Sequence, residues 1–149
     1  MAGYRVELKV LNKLAEDVFP GLFRTHGEVF SNSLDQLGPK WFICICIDTM
    51  PLKPTLMILE SFFYHGDHTG VIPAIFGIVQ KAKPAIDAGE DLVVALMQST
   101  ADCTESDMLD ALTNPGFEVD QFKARRIREK AKLELRRETN DNALEVRAL

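Results

Sequence analysis

The sequence has little of what marks fibrous, disordered or membrane-spanning chains. Its 149 residues include only nine glycines and seven prolines, and 46% of them are hydrophobic, which excludes collagen-like and disordered chains. The longest apolar runs, such as residues 41–47, are far shorter than the roughly 20 residues that cross a bilayer. We therefore expect one soluble domain with a hydrophobic core and no membrane contact.

Cysteines and sequence motifs of common enzyme families are also scarce. Three cysteines, two of them within one apolar run, do not form a disulfide framework, which predicts a reducing cytoplasmic location. No secretory leader is visible at the N-terminus. The chain has no phosphate-binding glycine loop, dinucleotide-binding spacing or Gly-x-Ser-x-Gly elbow, and this argues against the nucleotide-binding and hydrolase families that carry them.

Charge is present but unevenly distributed. The net charge is −5, yet residues 123–137 contain eight basic and two acidic residues, a net charge of +6, which leaves −11 for the rest of the chain. Such a chain can attract a neighbouring copy of itself or an acidic partner. The acidic remainder, and the lack of aromatic residues within 123–137, argue against nucleic-acid binding.

Four segments predict strands. Residues 4–10 alternate between apolar and charged side chains, which is typical of a half-buried strand, and residues 26–30 are a second short candidate. The apolar runs 41–47 and 91–97 predict buried strands. We therefore expect an α+β fold, or α/β as an alternative, with a central sheet of three to four strands.

Helices are predicted between and after these strands. The first predicted helix covers residues 56–64, with Pro54 in its first turn and Gly66 at its C-cap. A second covers residues 73–83, and a third is capped near Thr104. The last is a long charged helix over residues 120–139. Asn114-Pro115-Gly116 is a stop signal. The predicted organisation is a compact α+β body over residues 1–114 and a basic C-terminal helix and tail over residues 115–149.

The first half of the chain resembles a small, uncharacterised bacterial α+β family. The resemblance rests on the opening Tyr-Arg-Val-Glu-Leu-Lys-Val-Leu, on Gly27-Glu28-Val29-Phe30, on the aromatic-Cys segment 41–46, and on a helix closing at Gly66. It implies a compact α+β body. Because the family has no known activity, the resemblance implies no function.

Every histidine lies beside a carboxylate, a combination that suits Zn, Mn or Fe(II). The predicted metal ligands are His26, His65, Asp67 and His68, and the predicted catalytic residues are His65, His68, Glu28 and Glu60. Glu60 would act as a general base if its helix buried it. In the alternative interpretation, His65, Gly66 and Asp67 simply end a helix and begin a turn.

The cysteines favour a structural role. Cys44 and Cys46 would lie on one face of the predicted strand as buried small side chains, with His65 or His68 as a base in the alternative that one thiolate is a nucleophile. Cys103, in a polar stretch, is predicted to be exposed.

The basic helix predicts an interaction element. Ala124, Ile127, Ala131 and Leu135 form a narrow apolar seam, and Phe122 and Leu133 lie roughly opposite it. We expect the seam to pack on the body, a second copy or another protein, and the default assembly is a homodimer.

Three functions are therefore considered, of which a nucleic-acid-binding accessory is the least supported, for the reasons given above. The first is a small cytosolic enzyme that acts on a small molecule by lyase- or hydrolase-type proton transfer with a candidate divalent metal (Zn, Mn or Fe). The second is a non-catalytic oligomeric subunit or adaptor that binds a protein partner through the Lys123–Arg137 helix.

Overall fold

The computed structural model describes residues 2–113 and 116–148, and the side chains of residues 3–113 and 116–140. Within these ranges every regular element is helical, and a 3₁₀ turn at His68–Gly70 joins the fourth and fifth α-helices. The helices are α1 (Ala2–Val18), α2 (Pro20–His26), α3 (Glu28–Phe42), α4 (Leu52–His65), α5 (Ile72–Asp87), α6 (Leu92–Ala101), α7 (Glu105–Thr113) and α8 (Gln121–Ala148). The predicted α+β or α/β fold with a central sheet is therefore wrong for the described residues.

The first predicted strand lies inside α1. A window of seven residues fits both a strand and a helix, but the buried positions continue with the helical spacing of three and four residues. The buried apolar residues of α1 are Val6, Val10, Leu11, Leu14 and Ala15. This longer pattern, rather than the local alternation, determines the structure of the segment.

The other three predicted strands are wrong for related reasons. Residues 26–30 are two helix ends that meet at Gly27, whose φ is 51°. In residues 41–47, Trp41 and Phe42 complete α3, and the chain then turns. Residues 91–97 begin α6, where the Asp91 carboxylate accepts a hydrogen bond of 3.0 Å from the Val94 N–H. Short apolar runs do not distinguish a buried strand from a buried helix.

The predicted helices are confirmed, with changes at their ends. α4 ends at the left-handed Gly66, whose φ is 72°, and the Thr104 hydroxyl caps α7 by accepting from the Asp107 N–H at 3.1 Å. α5 runs from Ile72 through Pro84 to Asp87, beyond its predicted end at residue 83. α8 extends beyond residue 139. The predicted stop at Asn114 and Pro115 lies outside the described residues.

The core is centred on α5, which packs against α6, α7 and the 3₁₀ turn. Its fully buried Phe76 meets the rings of Phe19 and Phe117 edge to face, at 5.4 and 5.7 Å between ring centroids. Such pairs add to the hydrophobic gain from burying the rings. Further buried residues of α5 are Ile72, Ala74, Ile75, Ile78, Val79, Ala82 and Ile86.

Candidate functional site

The structure places the three histidines at two locations. His26 ends α2, which packs against α1 and α3, whereas His65 and His68 follow one another at the end of α4 and in the 3₁₀ turn. The Nδ1 atom of His65 lies 2.8 Å from the Ser61 carbonyl oxygen, and Nε2 of His68 lies 3.2 Å from that of Phe42. Each of these ring nitrogens therefore donates to the backbone.

His68 is also packed between aromatic rings. Its ring contacts Phe42 and Phe62 edge to face, with centroids 5.5 and 5.2 Å apart. Together with its hydrogen bond to the backbone, this packing ties the end of α4 to the end of α3. The arrangement gives His68 a structural role in joining two helices.

The predicted carboxylates lie at helix ends or on the surface. Asp67 caps the start of the 3₁₀ turn, and its carboxylate accepts a hydrogen bond of 2.7 Å from the Thr69 N–H. Partial burial raises the pKa of Asp67, but the hydrogen bonds from Thr69 and the charges of Arg128 and His65 outweigh it and hold this pKa below its ordinary value. Glu28 and Glu60 are exposed, so the burial on which a role for Glu60 depended is not found.

No metal centre is formed by these residues. In the part of the chain that the structure describes, no group of three or more His, Cys, Asp or Glu side chains could hold an ion. The prediction of a metal-binding protein is corrected accordingly, and nothing found supports lyase or hydrolase chemistry. A catalytic role for His65, His68, Glu28 or Glu60, and use of a divalent cofactor, stay predictions.

The cysteines occupy different environments from those expected. Cys46 is buried and Cys44 is exposed, although a shared strand face was predicted, and Cys103 is buried rather than exposed. Burial raises the pKa of the Cys46 thiol to about 12 and that of Cys103 to about 11. Both thiols are protonated at neutral pH and are poor nucleophiles.

Sequence reasoning missed a surface groove of about 750 Å³ between α1, α3 and α8. On one wall, Asn12 donates to the Asp35 carboxylate at 2.8 Å and accepts from the Ser31 hydroxyl at 2.8 Å. These polar groups therefore satisfy one another within the protein. The alternation of charged residues in α1 was the available signal, but it was read as the wet face of a strand.

The basic helix α8 packs antiparallel on α1. Lys123 pairs with Asp17 near one end, Lys9 pairs with Glu134 at 3.0 Å, and Arg5 pairs with Glu138 at the other end. The seam residues Ala124, Ala131 and Leu135 are buried, and Ala131 and Leu135 pack with Val6 of α1. The prediction that this seam packs against a surface is confirmed, and the surface belongs to the chain itself.

One ion pair of this interface is buried. The Arg128 guanidinium donates from Nε and Nη2 to the two carboxylate oxygens of Glu7, at 2.7 and 2.9 Å. The side chains are only 13% and 8% exposed. The hydrogen bonds to Glu7 raise the pKa of Arg128 above its ordinary value. A two-pronged pair of this kind fixes orientation as well as adding energy.

The opposite side of α8, which we call the outer face, is both apolar and cationic. At 3.6 residues per turn, the residues that point away from α1 are Phe122, Arg125, Arg126, Glu129, Leu133 and Arg136, of which three are cations and one is an anion. Phe122 is 82% exposed and Leu133 is 55% exposed. The expectation that these two residues lie opposite the seam is confirmed.

A second exposed apolar surface runs along α4, and we call it the α4 stripe. Leu52, Leu56, Leu59 and Phe63 follow the helical spacing on one side of the helix. Leu52 is 71% exposed and Phe63 is 74% exposed. The sequence predicted a helix covered on more than one side, whereas Leu52, Leu56 and Phe63 are each more than half exposed and Leu59 is partly buried.

The chain shares a segment with two TBC proteins. It is 32% identical over 69 residues to growth hormone-regulated TBC protein 1 of Xenopus tropicalis, and this match covers 44% of this chain and 19% of that protein. It is 31% identical over 67 residues to growth hormone-regulated TBC protein 6 of Caenorhabditis elegans, which covers 45% of this chain and 20% of that protein. The matched segment thus spans about a fifth of each relative.

The predicted resemblance to a small bacterial family is wrong, because the comparisons point to these TBC proteins and not to such a family. No family model matches the chain. No solved structure matches it either. Among the described residues, no helix is long and apolar enough to cross a membrane.

Proposed function

We propose that this protein is a non-catalytic subunit or adaptor that binds an acidic protein surface through the outer face of α8. The observation that carries this proposal is the division of α8 into two faces. One face is packed on α1 through Ala124, Ala131 and Leu135, and the other presents Phe122 and Leu133 among arginines to solvent.

Packing on α1 prepares the outer face for binding. The buried pair between Arg128 and Glu7 holds α8 in one orientation on the body, so little backbone order has to be gained when a partner binds. Arginine and phenylalanine are enriched in protein interfaces, where an aromatic anchor ringed by cations favours an acidic partner. The outer face has this composition.

The comparisons support the adaptor better than the enzyme. Neither relative is named as a metal-dependent lyase or hydrolase, and the similarity covers only a segment of each. A role in contacts between proteins is consistent with a shared segment of larger proteins.

A photo-crosslinking experiment tests the proposal. The photoreactive residue p-benzoylphenylalanine is placed at position 122 in the full chain, and at Val94 of α6 as the control, since both native side chains are exposed. We expect protein adducts from position 122 that disappear when Arg125 and Arg126 are both changed to Glu. Equal adducts at both positions, or none at position 122, would contradict the proposal.

A further inference from the structure

We infer that the partner of the outer face of α8 is the α4 stripe of a second copy of this chain, an inference that rests on the proposed function. The two surfaces match in length. Phe122 and Leu133 are eleven residues apart, as are Leu52 and Phe63, and eleven residues of helix span about 16 Å. Both pairs are therefore separated by the same three helical turns.

Charge on the two surfaces is complementary at one position. The charged residues of α4 are Lys53 and Glu60, and the exposed Glu60 lies beside the stripe. The outer face of α8 presents Arg125, Arg126 and Arg136. Lys53, the cation nearest the stripe, is paired with Glu105 of α7 at 2.7 Å, so its repulsion of a basic helix is reduced. Complementary charge of this kind selects the partner and its orientation.

Charge further selects an antiparallel arrangement. When Phe122 packs against Phe63 and Leu133 against Leu52, Arg126 lies one turn inward from Phe122 and meets Glu60, which lies one turn inward from Phe63. A parallel arrangement would instead place Lys130 level with Glu60 and Glu129 one residue away, so that attraction and repulsion at Glu60 largely offset each other. The antiparallel arrangement also opposes the two helix dipoles.

Two such contacts close a symmetric dimer. If each α8 lies on the α4 stripe of the other copy, one two-fold rotation satisfies both contacts and leaves no open end. The contacts cover four of the exposed large apolar side chains in each copy, namely Leu52, Phe63, Phe122 and Leu133. This accounts for a basic helix and an apolar stripe in one otherwise acidic chain.

A charge-swap experiment on the full chain tests the inference by sedimentation equilibrium over a concentration series at low salt. We expect a wild-type dimer, and we expect Glu60→Arg and Arg126→Glu each to raise the dimer Kd at least about tenfold, a loss of roughly 1.4 kcal/mol. The double variant E60R/R126E is expected to recover most of the wild-type affinity, because the pair is restored with its charges exchanged.

Matched controls separate a specific pair from a change in net charge. Glu90→Arg and Arg24→Glu make the same charge changes at exposed positions outside both surfaces, and we expect them to leave Kd within about threefold. All variants should keep the wild-type helicity, and at concentrations low enough for the wild type to be a monomer they should also keep its Tm, because the altered side chains are exposed. A wild-type monomer at every concentration, or a double variant no tighter than the single variants, would overturn the inference.

The crosslinker at position 122 distinguishes the two possible failures. An adduct between position 122 and residues 52–63 of the same chain supports the second copy. Adducts only with other proteins would overturn the second-copy inference and leave the adaptor proposal standing. The absence of any protein adduct would overturn both.

Discussion

The α5 core and the α1–α8 interface hold the molecule together by different means. Around α5 the contacts are apolar and fully buried, with Phe76 between Phe19 and Phe117. Between α1 and α8 the contacts are a thin seam of alanines and leucine flanked by ion pairs, of which Glu7–Arg128 is buried. Apolar burial is not weakened by ionic screening, whereas exposed ion pairs are.

From this difference we expect α8 to open at a lower free energy than the helices around α5. α8 packs mainly on α1, whereas α5 has three neighbours among the described elements. Elements with few apolar contacts open at lower free energy than the core. Ala124 of α8 lies in the main core cluster and Ile127 packs against it, so a body and a separate basic helix stay a prediction, which the variants below test.

The largest effect is expected in the core. Phe76→Ala removes a fully buried ring that contacts two other rings, so the free energy of unfolding should fall by about 3–5 kcal/mol. Urea denaturation followed by circular dichroism measures the change. Val94→Ala, at an exposed position of α6, is the control and should change stability by no more than about 0.5 kcal/mol. A comparable loss in the control would contradict the assignment of the core.

The next effect should be confined to α8. Glu7→Ala leaves Arg128 buried without its partner, which costs about 3 kcal/mol, the lower end of the range for such pairs because some solvent reaches both groups. Hydrogen exchange should show the amides of α8 opening faster while those of α5 keep their protection. Equal loss of protection in both helices would show that α8 is part of the core.

A double variant separates charge from packing at the same place. Glu7→Leu combined with Arg128→Met replaces the ion pair by apolar side chains, and we expect it to recover most of the protection lost in Glu7→Ala. The recovered variant should also lose less protection in high salt than the wild type does. A double variant as weak as Glu7→Ala would mean that this site requires the ion pair itself.

A smaller effect is expected at the exposed edge of the same interface. Lys9 and Glu134 pair at 3.0 Å, but both side chains are 42% exposed, so Lys9→Met should weaken the α8 contact by less than about 1 kcal/mol. Hydrogen exchange of α8 at low and high salt measures it. If Lys9→Met opened α8 as much as Glu7→Ala does, the greater strength expected of the Glu7–Arg128 pair could not be attributed to its burial.

How much of this could be predicted from the sequence depended on how long each pattern was. The Gly66 cap, the Thr104 cap and the two faces of α8 were predicted correctly, because caps and long helical periodicity are local properties. The strands were wrong where seven-residue windows such as 4–10 and 91–97 were compatible with both structures. The turn after α3, where Ile45 and Cys46 have φ of 46° and 61°, carries no local signal, since Ile rarely adopts positive φ.

The candidate site shows the same limit at longer range. Whether His26 of α2 meets His65 of α4 depends on how the helices pack, and sequence neighbours gave no information on that packing. The exposure of the α4 stripe could not be predicted from the sequence either. An apolar helix predicts burial, but the sequence does not say whether the residues that bury it belong to the same chain or to another. The pairing of Glu7 with Arg128 spans 121 residues, and no sequence pattern linked them.

The smallest effect is a loss of stability at low pH, and it is expected at Asp107 of α7, a helix that packs on α5. Partial burial raises the pKa of Asp107, but hydrogen bonds from Lys81 and Thr104 outweigh it and hold this pKa below its ordinary value. A carboxyl whose pKa is lowered by folding stabilises the protein at neutral pH, and this contribution disappears as pH falls below about 4. Because Asp107 is 40% exposed, the contribution should be under about 1 kcal/mol. Urea midpoints between pH 7 and pH 3 should therefore fall slightly more for the wild type than for Asp107→Asn, whereas Asp110→Asn, at an exposed position of the same helix, should follow the wild type.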